Sequence, residues 1–120
     1  MCDDVCIANI GSLQRRRRRI IGAWALVCAT ACAAGLFAIG ADRPWRLLLF
    51  VPLWIGALSL LEASSSTCVV LAARGLRNMD DGNACIESPD ELRQVMRQAR
   101  RVHVRALLAS AALTAALFLV

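Results

Sequence analysis

The stretch RRRRRIIGAWALVCATACAAGLFAIGA, residues 15–41, sets five arginines directly against 22 uncharged residues. At ~1.5 Å rise per residue the uncharged part, residues 20–41, makes ~33 Å of helix, close to the ~30 Å of a bilayer's hydrocarbon core. The run therefore predicts a membrane-crossing helix over 20–41 behind a polar tail over 1–19. Gly22, Gly35 and Gly40 and many alanines give that helix small faces, and small residues let membrane helices approach closely. Composition agrees with the local reading. Hydrophobic residues make up 58% of the 120, against ~45–50% in soluble domains. All 14 basic residues are arginine and the net charge is +5; the lack of lysine beside abundant alanine is the usage of a GC-rich bacterial genome.

Working outward, ADRPWR, residues 41–46, reads as a tight connection. Pro44 suits a first helical turn, and Trp45 suits the headgroup level. A second helix is expected over 46–74, long enough to tilt, with a kink at Pro52 and a stop at Gly75. The loop over 75–88 holds the turn residues of NMDDGN. SPDE then opens a helix: Ser88 as N-cap, Pro89 at the first position and Glu91 closing a capping box. No break follows, so a helix is expected over 89–120. Its first half alternates Leu92, Val95, Met96, Ala99 and Val102 with arginines, an amphipathic pattern. Its last 15 residues are uncharged, and Arg105 and His103 can snorkel to lengthen the span. The fold class expected is all-α: one membrane domain over 1–120, three transmembrane helices, and a cytoplasmic amphipathic extension of the third.

Arginine counts set the orientation. Arg15, Arg16, Arg17, Arg18 and Arg19 precede the first helix; Arg74, Arg77, Arg93, Arg97, Arg100, Arg101 and Arg105 lie between the second and the third span, and only Arg43 and Arg46 lie between the first two, giving 12 against 2. The N-terminus is thus expected in the cytoplasm of a bacterial inner membrane, and the C-terminus in the periplasm or outside. Arg15–Arg19 and Arg97, Arg100, Arg101 and Arg105 are the expected topology anchors, in contact with anionic headgroups. A nucleic-acid arm would need more than five residues and aromatic partners, so no nucleic-acid partner is expected. A lipoprotein signal ending at Cys32 is disfavoured by Ala29 and by the apolar residues that run on to Ala41.

NIGSLQRRRRRIIG, residues 9–22, carries Asn9, Gly11, Arg15, Arg18 and Gly22 in the pattern N-x-G-x3-R-x2-R-x3-G. This resembles the opening of a family of short bacterial inner-membrane domains of unknown function, some joined to rhodanese sulfurtransferase domains. The likeness covers roughly residues 9–40, and Ser66-Thr67-Cys68 is similar to a cysteine-containing segment that often ends the family's second helix. The third helix and the long charged loop depart from the pattern. The resemblance implies a membrane domain and an association with sulfur, but no enzyme activity.

Two constellations carry possible chemistry. Glu62 stands alone in the second span, where an unpaired charge costs ~3 kcal/mol on insertion scales. It needs partners, for which Ser64, Ser65, Ser66, Thr67, Ser110 and Thr114 are the candidates; it either fixes packing or forms a proton or cation site. Cys2, Cys6, Cys68 and Cys85 are a candidate soft-metal or thiol set on one side of the membrane, with ordinary packing as the alternative. Cys28 and Cys32 share a helix face. No cofactor other than such a metal is expected. Phosphate-loop, dinucleotide, zinc-protease and nucleophile-elbow motifs are missing, and His103 is the one histidine. The leading expectation is a small non-enzymatic accessory or assembly subunit with a membrane-protein partner or a second copy. The alternatives are a thiol, soft-metal or sulfur-handling protein and a minimal cation conductor at Glu62.

Overall fold

The computed structural model describes residues 8–120. Among them are three helices long and apolar enough to cross a membrane and very little sheet, the all-α architecture the sequence predicts. Helix α1 is Ser12–Ala38, a 3-10 segment Arg43–Leu49 leads into α2, Phe50–Ser65, and a short α3 is Val69–Ala73. A hairpin of β1, Leu76–Asn78, and β2, Asn83–Cys85, precedes α4, Pro89–Leu119. The three long helices run alternately up and down. The start of α1, α3, the hairpin and the start of α4 therefore gather at one end, the hairpin end, and the 3-10 segment marks the far end.

Helix boundaries differ from the expected ones where long-range contacts intervene. α1 begins well before residue 20, so the arginines are helical. Its N-cap, Gly11, has no side chain to cap with. Asp80, from the hairpin turn, does it instead, accepting from the Leu13 and Gln14 amides at 3.3 Å and from the Ser12 hydroxyl at 3.4 Å. A Cβ on Gly11 would stand 2.5–2.8 Å from that carboxylate. α1 closes in a Schellman turn: Gly40 is left-handed at φ +64°, its amide bonds Phe37 O, and the Ala41 amide bonds Leu36 O. The helix thus stops at Ala38 rather than at residue 41.

The single helix expected over 46–74 is three pieces. Residues before Phe50 are 3-10, and Pro52 falls in the first turn of α2, where amides lack intrahelical acceptors, so it marks a start and not a kink. At the other end Ser66 adopts a left-handed conformation, φ 51°, which ends α2 and turns the chain before Val69 resumes it. The loop expected over 75–88 holds the hairpin, with Asn78 opposite Asn83. Residues 12–19 of the expected tail belong to α1, and Ile10 bridges to Asn78 in parallel, adding a strand-like edge. Gly75 ends α3 as expected, at φ +69°. Ser88 caps α4 by accepting from the Glu91 amide at 3.4 Å. The capping box is half made, because the Glu91 carboxylate pairs with Arg77 at 2.7 Å.

α2 lies between α1 and α4 and packs on both. α1 and α2 cross at facing glycines: a Cβ on Gly22 would come within 2.8 Å of Leu60 and 3.2 Å of the Gly56 carbonyl, and one on Gly56 within 2.7 Å of Leu26. α4 offers a stripe of Val95, Gln98, Ala99, Val102, Ala106, Ser110 and Thr114, all buried. At the hairpin end Ala72, Ile86, Val95 and Ala99 form a small apolar core with Val69 and Leu92 against it. Lipid tails are as apolar as leucine, so helix association in a bilayer rests on close packing and polar contacts. Those polar contacts concentrate at the hairpin end.

Candidate functional site

Six side chains from separate segments converge where α2 ends. Glu62 sits one turn before the Ser66 break, so the break leaves amides without helical acceptors next to its carboxylate. Oε2 accepts from the Val69 amide at 2.8 Å and Oε1 from Arg18 Nη1 at 3.2 Å. Arg18 Nη2 donates onward to Cys68 Sγ at 3.0 Å. Asn9 closes the site from above: its Oδ1 accepts from the Cys68 amide at 2.6 Å and its Nδ2 donates to Cys68 O at 3.1 Å. The Asn9 backbone is also held, its amide by Ser66 O at 3.0 Å and its carbonyl by the Asn78 amide at 2.7 Å. From α4, Gln98 Nε2 donates to Thr67 Oγ1 at 3.2 Å. This is a knot joining α1, α2, α4 and the hairpin.

Position dictates each role. Arg18 lies one turn before Gly22 on the face of α1 that meets α2, so one guanidinium of the five-arginine block turns inward while Arg16, Arg17 and Arg19 stay exposed. The Glu62 side chain is 3% exposed and that of Arg18 28%. A carboxylate buried so deeply needs a paired cation, and Arg18 meets that need. Three of the side chains expected to bond Glu62 bond elsewhere. Ser110 and Thr114 bond carbonyls one turn back on α4, at 2.6 Å and 2.7 Å, and Thr67 bonds Ser65 O at 2.9 Å. Burial pushes the Cys68 thiol above its ordinary pKa; the Leu71 amide opposes this, Glu62 adds to it, and Arg18 and the Val70 amide oppose it. Cys68 is therefore a closed-in thiol that accepts hydrogen bonds.

No family model, curated protein or solved structure matches the chain.

The geometry places the other sequence candidates as follows. Among the described residues no three of His, Cys, Asp and Glu gather as metal ligands. Of the expected set, Cys68 is buried in the knot and Cys85 is exposed on β2, while Cys2 and Cys6 lie outside the described residues. Cys28 and Cys32 are exposed on α1. Arg97, Arg100, Arg101 and Arg105 are exposed on α4. The His103 ring meets Trp54 edge-on at 6.0 Å between centroids, and Trp54 stacks on Phe50 at 6.5 Å. Sequence reasoning missed Gln98, Asp80 and Gly56. It placed Asn9, Gly11, Arg15, Arg18 and Gly22 in one spacing and gave a role only to Arg15 and Arg18, as headgroup anchors; all five are at least half-buried, Arg15, Arg18 and Gly22 on one side of α1, and Arg18 pairs with Glu62.

Proposed function

We propose that the chain is a non-enzymatic accessory or assembly subunit of a complex in the bacterial inner membrane. Three long apolar helices fit a small membrane protein. The observation that carries the finer reading is α1, in which only Gly22 and Ala29 of 27 residues are buried. Its uncovered side carries Trp24, Val27, Cys28, Ala31, Cys32 and Gly35, and a Cβ on Gly35 would meet nothing within 4 Å. A flat strip of small residues beside a tryptophan suits a partner's transmembrane helix. The knot supports this reading over a cation conductor, since both Glu62 oxygens are bonded to the chain's own donors. The 12-to-2 arginine split supports a cytoplasmic hairpin end and an N-terminus there, with the C-terminus periplasmic or extracellular. The inward set Asn9, Gly11, Arg15, Arg18 and Gly22 supports reading the opening as the structural signature of the inner-membrane family it resembles.

A second reading, a thiol or soft-metal protein, is favoured by the exposure of Cys28 and Cys32 one turn apart on α1. It does not fit Cys68, whose sulfur is enclosed.

Gly35→Leu separates fold from assembly. The protein is expected to keep its melting behaviour in mild detergent while losing a larger species on native electrophoresis and its co-purifying membrane protein. A wild-type chain that runs as a lone monomer in gentle detergent, or a Gly35→Leu chain that assembles normally, overturns the proposal. Replacing Cys28 and Cys32 with serine distinguishes the second reading by bound metal and by labelling.

A further inference from the structure

The five consecutive arginines divide into two on the inward side of α1, Arg15 and Arg18, and three that are exposed, and two of the exposed ones line a cleft. Arg16 and Arg17 lie on the side of α1 opposite α2, about one-quarter turn apart around the helix. Between and around them run Leu13 and Ile20, both large apolar side chains at least half exposed. Together with Gln14 and Asp80 these residues line a cleft of about 400 Å³. Asp80 adds one negative charge to this lining against two guanidiniums, and its carboxylate is held toward the start of α1 by the Ser12 hydroxyl and the Leu13 and Gln14 amides.

Depth fixes what reaches this cleft. Arg18 and Phe37 are nineteen residues apart on α1, ~28 Å of helix. At the far level Arg46 lies over the Phe37 ring and bonds Leu117 O. Gln98, at the knot, and Leu117 are also nineteen residues apart on α4. The knot and the Arg46 level are thus separated by about the thickness of a hydrocarbon core. Arg16 and Arg17 stand just beyond the knot, at headgroup height, and Ile20 opens the uncharged run beneath them.

We infer that this cleft binds an anionic phospholipid, with the phosphate between the Arg16 and Arg17 guanidiniums and an acyl chain along Ile20 toward Trp24. Charge complementarity carries the assignment. Guanidiniums make paired, charge-assisted bonds to phosphate oxygens, and the apolar floor continues into the membrane, where a free ion has no use for it. Arg18 is excluded from the site by its bonds to Glu62 and Cys68. The inference rests on the membrane reading and on no protein partner.

The test is titration of the full chain in uncharged detergent with fluorescent phosphatidylglycerol, using phosphatidylcholine as reference. Arg16→Gln with Arg17→Gln is expected to weaken phosphatidylglycerol binding about thirtyfold, from roughly fivefold per arginine near an anionic headgroup. Arg19→Gln, an exposed neighbour outside the cleft, is expected to change it little. Leu13→Ser is expected to weaken the lipid and leave circular dichroism unaltered. Wild-type affinity in the double variant overturns the site. An equal loss in Arg19→Gln reduces it to diffuse charge and also overturns it. Inorganic phosphate competing as well as a short-chain phosphatidylglycerol shows an ion site and overturns the lipid assignment. Loss of a protein partner leaves all these readouts in place.

Discussion

At the hairpin end Asn9, Arg18, Glu62, Thr67, Cys68 and Gln98 interlock through an ion pair and buried hydrogen bonds. At the far end one side chain does the joining: Arg46 lies 4.4 Å over the Phe37 ring and donates to Leu117 O at 3.1 Å. Both ends use an arginine to tie helices, but the environments differ. Glu62 is shut away from solvent, so its partner must be supplied by the chain. Leu117 is close to the helix terminus, where a carbonyl has no intrahelical donor and water can replace the arginine. A buried charge makes a contact indispensable, whereas a helix end makes it useful.

The largest expected effect is therefore at Glu62. Glu62→Ala strands the Arg18 guanidinium and leaves the Val69 amide without its acceptor. Breaking one side of a buried pair costs ~3–5 kcal/mol, measurable by reversible unfolding in mixed micelles. Arg18→Met combined with Glu62→Met removes both charges and is expected to recover most of the loss, since apolar replacements of buried pairs are often neutral. A double variant as unstable as Glu62→Ala would show that the other bonds of the knot matter more than the charges.

Much of this end was legible in the sequence, and its failures share one physical cause. The uncharged runs, the Ser88 start and the Gly75 stop are local signals, and the structure contains them. The unpaired Glu62 could be recognised as needing a partner because burial of charge is a local cost. Which partner could not be read, because Arg18 and Glu62 are far apart in sequence and the five arginines are chemically identical. Only the 3.6-residue period counted back from Gly22 singles out Arg15 and Arg18. The Ser66 break also escaped, since nothing in EASSSTCVV forbids a helix; Asn9, more than fifty residues earlier, rewards the left-handed turn by bonding Ser66 O and both backbone groups of Cys68.

Asn9 gives the middle-sized effect. Asn9→Ala leaves the buried Cys68 amide without a partner, while the Cys68 carbonyl keeps the Ala72 amide, at ~1–3 kcal/mol for such a loss. The variant is expected to stay folded while its knot opens more often. With the other five cysteines replaced by serine, Cys68 is expected to resist maleimide in the parent and to react in the Asn9→Ala chain. Both should react more slowly at lower pH, because the thiolate is the nucleophile and burial has raised the thiol's pKa. Equal labelling of parent and variant would mean that Asn9 does not seal the sulfur.

Arg46→Met gives the smallest effect and tests the other side of the comparison. It removes one hydrogen bond to Leu117 O and the contact with Phe37 while keeping an apolar stem over the ring. The hydrogen bond is worth ~1 kcal/mol and the cation–aromatic contact ~0.5–1 kcal/mol at an accessible site, and water satisfies the freed carbonyl. Loss of global stability should accordingly stay near ~1 kcal/mol. The local signature should be clearer: amide exchange at residues 116–120 is expected to quicken, because Leu119 and Val120 are already three-quarters exposed and the last turn has little else holding it. Amides around Val69 and Cys68 should not change, since the knot makes no contact with the far end. If exchange at Cys68 quickens together with exchange at the α4 terminus, the two ends are coupled through α2 and α4, and the contrast between an indispensable tie and a useful one gives way to a single cooperative unit.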